Sequence, residues 1–140
     1  MASSMVASRH RKSLNALTIK LLCTAHTDGT FDTKQITETE AGEEYWAKGF
    51  YLLDVWAVND ATTYPGSGTV TITDESGRQL IGAGPNDVLT LSTSGSGIGY
   101  LAAARTPAQR AVTSKLSVAV ADTGSAANKF TLYIVLGRQR

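Results

Sequence analysis

The sequence predicts an all-β protein: a single antiparallel β-sandwich or jelly roll of about seven to eight strands, preceded by an extended N-terminal arm. Three observations predict it. Short apolar runs alternate with polar residues at period two and are separated by Gly, Asp and Asn turn signals. Gly, Thr, Ser, Ala and Val are abundant, while long runs of Glu, Lys, Leu and Arg are absent. With 140 residues the chain has the length of one domain with one substantial core. Residues 1–13 are read as the arm and 14–140 as the sandwich.

The arm opens with MASSMVASRHRK, basic and without apolar periodicity, and is expected to be disordered alone and ordered only against a partner. From Ser13 to Ala25 the odd positions Leu17, Ile19, Leu21, Cys23 and Ala25 form one apolar face, a first core strand. Thr27-Asp28-Gly29-Thr30 is a turn, with Gly29 free to take positive φ. Phe31 to Thr39 reads as a polar edge strand, and Glu40 to Glu44 as an acidic connector.

Phe50 to Asn59 is the strongest strand. It is apolar on both faces, so it belongs at the centre of a sheet or beneath another subunit. Asn59 to Gly68 is a loop around Pro65-Gly66. Thr69 to Thr73 and Arg78 to Ile81 form the arms of a hairpin over Asp74-Glu75-Ser76-Gly77. Val88 to Ser92 is a short strand, and Thr93 to Gly99 (TSGSGIG) a flexible segment. Thr106-Pro107-Ala108-Gln109 has the form of a helical start or leads into the next strand. Leu116, Val118 and Val120 share a strand face. Asp122 to Asn128 turns the chain into a last core strand carrying Phe130, Leu132, Ile134 and Leu136.

The formal charge of +1 is unevenly spread. Residues 1–27 carry +4 and no acid, residues 28–100 carry −8, and residues 101–140 carry +5. Such asymmetry suits complementary contacts between copies or between arm and neighbour, though charge blocks also arise by chance. No run is long enough to span a membrane. Lys20 and the absence of a cleavage site argue against a signal peptide. The whole chain is expected to be made in a reducing cytoplasm, with the single Cys23 a buried small hydrophobe.

Catalytic constellations are missing. His10 lies in the arm, and His26 sits three residues beyond Cys23, which on a strand places the two on opposite faces. Three Cys and His in total are too few for a zinc site. Asp28 with Asp32, and Asn59 with Asp60, lack the spacing of a calcium loop. Gly82-Ala83-Gly84 and Ser94-Gly95-Ser96-Gly97 are not phosphate loops. No enzyme activity, metal or other cofactor is therefore expected. Asp54, interrupting an apolar run, is expected to be buried and held by hydrogen bonds or by Arg105 or Arg110. Three adjacent basic residues without a basic stripe do not suggest nucleic acid. Tyr45, Trp46, Phe50, Tyr51 and Trp56 are a sugar platform or, more simply, core or subunit interface.

A short basic arm, a β domain carrying FYLLDVWAVND and GTVTITDESGRQLIG, and the ending KFTLYIVLGRQR together resemble the small β-sandwich structural proteins of tailed-phage virions, especially capsid decoration (cement) proteins. The resemblance lies in the layout and not in a diagnostic motif. It implies a non-enzymatic protein of the bacteriophage virion, a homo-oligomer with a trimer favoured, bound to the major capsid protein or another virion protein. Arg9, Arg11 and Lys12 are the expected docking residues. Tyr51, Val55 and Trp56 are expected to pack between or within copies. The alternatives are a carbohydrate- or receptor-binding sandwich module and a tail or neck adaptor.

Overall fold

A computed structural model of the chain describes residues 4–12, 16–36, 51–74, 80–81, 88–100, 116–121 and 128–137. Among them are nine strands and no helix: β1 (Ser4–Lys12), β2 (Ala16–Thr24), β3 (Lys34–Gln35), β4 (Tyr51–Asn59), β5 (Thr69–Asp74), β6 (Leu89–Thr90), β7 (Ile98–Tyr100), β8 (Leu116–Ala121) and β9 (Lys129–Gly137). Every pairing is antiparallel. One sheet has the order β1-β2-β9-β4-β7 and the other β3-β8-β5-β6. This is the all-β, two-sheet sandwich that the strand pattern predicts.

Period-two alternation makes the core. Leu17, Ile19, Leu21 and Cys23 on β2 and Phe130, Leu132, Ile134 and Leu136 on β9 turn inward from the larger sheet. They pack with Val70 and Ile72 on β5, Leu89 on β6, and Leu116 and Val118 on β8. Ile36, Leu80, Ile81 and Leu91 belong to the same buried cluster. Phe31 meets Phe130 edge to face, with ring centroids 5.5 Å apart. Gly29 has φ 89°, the left-handed conformation expected at its turn.

Four expectations change. The first is the arm. Ser4–Lys12 is not left to order against a partner, because it pairs along β2 from Ser4↔Thr24 to Lys12↔Leu17, with a bulge between Arg9 and Arg11. An edge strand takes its order from the ladder hydrogen bonds of its neighbour and needs little apolar periodicity of its own. Met5 adds an anchor, buried opposite Cys23.

The second is Asp54, which is exposed rather than buried. A bulge between Leu52 and Asp54 inserts Leu53 as an extra residue, shifting the alternation so that Asp54 faces out and Val55 faces in. The Asp54 carboxylate accepts a hydrogen bond from the Val55 N–H at 2.8 Å. Its suggested partners Arg105 and Arg110 lie outside the described residues.

The third is the TSGSGIG segment. It is not a free linker, since Ile98–Tyr100 forms β7 against Trp56 to Val58. The fourth is the extent of the Phe31 to Thr39 strand. Strand β3 is the edge of the smaller sheet as expected, but among the described residues it covers only Lys34 and Gln35 against β8. The Ile36 N–H still donates to the Leu116 carbonyl at 2.8 Å, and residues 37–39 lie outside the description. The acidic connector, the tip of the Asp74 hairpin, the Gly82-Ala83-Gly84 piece and the Thr106-Pro107 segment also lie outside it.

Candidate functional surface

The surface is built from the outer face of the five-stranded sheet and its β1 edge. Cross-strand register brings five residues, far apart in sequence, into one row. Val6 pairs with Leu22, Leu22 with Thr131, Thr131 with Val58, and Val58 with Ile98. Antiparallel partners share a face, so the row crosses the whole sheet on the side away from the core. Val6, Leu22 and Ile98 are the exposed large hydrophobics among the described residues, at 56%, 49% and 45% exposure. Val58 and Thr131 are half-buried between them.

The next row holds Lys20, Tyr133 and Trp56. Trp56 and Tyr133 are stacked, with centroids 5.1 Å apart and planes 14° from parallel. Asp54 follows two positions along β4, opposite Val135. A groove of about 470 Å³ runs along the apolar row, lined among others by Leu22, Val58, Thr131, Tyr133, Asp60 and Lys129.

One end of this face is held by a polar lock. Asn59, buried at the end of β4, donates through Nδ2 to the carbonyls of Ser92 at 2.7 Å and Ser94 at 3.0 Å. Its backbone N–H donates to the Gly97 carbonyl at 3.0 Å. These bonds fix the small-residue stretch so that β7 can pair with β4. Gly99 is required there: a Cβ would sit 2.5 Å from the Thr90 carbonyl oxygen. Beside the lock, the Asp60 carboxylate accepts from the N–H groups of Thr62 (3.2 Å) and Thr63 (2.9 Å), which hold it below the usual carboxylate range.

The residues singled out from sequence separate clearly. Val55 is fully buried and packs in the core. Trp56 stands on the outer face against Tyr133, and Tyr51 is half-buried on the same strand. Tyr45, Trp46 and Phe50 lie outside the described residues. The backbones of Arg9, Arg11 and Lys12 lie on β1, opposite Ile19, Thr18 and Leu17. Sequence reasoning missed Val6, Leu22 and Ile98, because their common row exists only through register.

Among the described residues, chemistry-bearing groups form only local contacts. His26 Nε2 lies 3.1 Å from Asp32 Oδ2, an exposed contact at the end of β2. Asp28 accepts from the Thr30 hydroxyl and N–H within its own turn, both lowering its pKa. Burial pushes the Cys23 thiol up to about 12, so it carries no thiolate at neutral pH. Among the described residues no three His, Cys, Asp or Glu side chains come together as a metal site. No helix there is long and apolar enough to cross a membrane.

No family model matches the chain, and no curated protein matches it. Among solved structures, one described as the cyanophage Pam1 capsid asymmetric unit is 16% identical, over 92% of this chain and 90% of that chain, with a TM-score of 0.43. At that score the overlap is loose and carries no argument about this chain's role.

Proposed function

We propose that this chain is a non-enzymatic structural protein of a bacteriophage virion, made in the host cytoplasm. In this reading it binds the capsid as a decoration (cement) protein and stabilises it. The virion assignment rests on the resemblance of the sequence layout. The docking mode rests on one structural observation: the basic strand β1 is the edge of the five-stranded sheet and pairs, among the described residues, with β2 alone.

An edge strand presents backbone N–H and C=O groups that a neighbouring chain can extend into. The major capsid protein or another virion protein would add a strand or loop along β1, with Arg9, Arg11 and Lys12 meeting its acidic groups. Because β1 is already ordered on β2, docking costs less conformational entropy than ordering a free arm. A homo-oligomer, three copies if the resemblance extends so far, would multiply weak contacts into tight decoration.

The test is cosedimentation of purified protein with undecorated particles. The variant carrying Arg9→Gln, Arg11→Gln and Lys12→Gln keeps the β1 backbone and is expected to lose binding while its circular dichroism is unchanged. A variant that still decorates particles fully would remove β1 charge from the docking mechanism.

A further inference from the structure

The row Val6–Leu22–Thr131–Val58–Ile98 reads the same from either edge of the sheet: two apolar residues, a threonine, two apolar residues. The strand order β1-β2-β9-β4-β7 is likewise centred on β9. We infer that this face is the seat of a second copy of the chain, the two sheets packing face to face about a two-fold axis that runs along β9.

That axis has definite consequences. It lays β1 over β7 of the other copy, β2 over β4, and β9 over β9, and it leaves each residue at its own level along the strands. Leu22 then meets Val58 and Val6 meets Ile98, twice each, with Thr131 on the axis. Exposed aliphatic groups cover one another instead of water.

In the next row Lys20 comes over Trp56, where an ammonium is attracted to the indole face. Asp54, two positions further along β4, is then within reach of the same Lys20. The charges are thus self-complementary: a cation on one flank of β9 and an anion on the other. Lys129 lies near the axis and would face its own copy, and Asp60 beside it carries the compensating charge.

Size and twist agree with such a contact. Five strands about 4.8 Å apart, rising about 3.3 Å per residue, make a face on the order of 500 Å² in plan. With side-chain relief this approaches the roughly 800 Å² per partner of a standard interface. A two-fold along β9 keeps the two central strands parallel, within the range of about 30° in which aligned sheets pack, and two copies of one twist stack without a gap. A patch meeting its own copy in this way closes as a dimer, unlike the trimer that the virion resemblance implies.

The deciding measurement is the mass of the purified full chain across concentration, by sedimentation equilibrium, with no particle present; the outcome is thereby independent of the proposed virion role. Two copies are expected. Leu22→Lys, on the exposed face, should weaken the dimer at least tenfold with unchanged circular dichroism, and Ile98→Lys on the edge strand serves should Leu22→Lys disturb folding. Lys20→Asp should weaken association, and adding Asp54→Lys should restore it. A single copy at every concentration, three copies, or two copies indifferent to Leu22→Lys and Ile98→Lys would overturn the inference. So would a monomer whose particle binding disappears with Leu22→Lys, which would give the face to another protein.

Discussion

Trp56 on β4 and Tyr133 on β9 lie against each other on the outside of the larger sheet, 5.1 Å between ring centroids and 14° from parallel. The pair ties β4 to β9, neighbours far apart in sequence, outside the core. Trp56→Ala is expected to lower stability by about 1–2 kcal/mol, combining lost stacking with lost half-buried area. Denaturant titration of the variant measures it, and the core should remain intact.

Ile134 is fully buried on β9 between Ile19 of β2 and Val55 of β4. Ile134→Ala should cost about 2–5 kcal/mol, the usual range for emptying such a site. The same titration would show it, and a cost below that of Trp56→Ala would mean that the interior collapses around the gap.

Asn59 donates to two carbonyls at once. Asn59→Ala leaves both without that donor and should cost about 1–3 kcal/mol. Hydrogen exchange should show lost protection of the Ser96 and Gly97 amides, which bond to Asp60 and Ser94 carbonyls. Asn59→Asp should be worse at neutral pH, since a carboxylate would face the carbonyls, and should partly recover in acid, where a protonated carboxyl can donate again.

Cys23 should resist alkylation at pH 8 while the protein is folded and react once it is unfolded, because burial holds its thiol near 12. The sign of the linkage follows. Above the ordinary thiol value of 9.0 the unfolded chain releases a proton that the folded chain keeps, so stability falls as pH rises from about 9 to about 12. Replacing Cys23 with Ala should flatten that alkaline slope in a pH series of denaturant titrations.

Much of the interior was legible beforehand because period-two alternation depends only on local sequence. The odd positions of β2 and the even positions of β9 turned inward as their apolarity predicts. The β4 segment was equally plain, but its bulge was not: nothing in Leu52-Leu53-Asp54 announces an extra residue, and the error put Asp54 on the wrong side of the sheet. Strand β7 hid behind glycines that loosen a chain when it stands alone and permit close approach when a neighbour is present, as Gly99 does at Thr90. Strand β1 hid behind charge, since its order comes from β2. The apolar row was beyond reading, because positions 6, 22, 58, 98 and 131 become neighbours only once four registers are set.

The place of β9 between β2 and β4 has a kinetic consequence. Each of those strands waits for a mate more than seventy positions downstream of it, with register partners such as Ile19↔Ile134 and Val55↔Ile134. The hairpin of β1 and β2 can zip early, since its partners are close in sequence, but the larger sheet stays in two pieces until β9 slots in. Closing such long loops before any contact rewards them makes folding slow, on the order of milliseconds to seconds. Through that interval the open flanks of β2 and β4 are sticky, so refolding yield should drop as protein concentration rises.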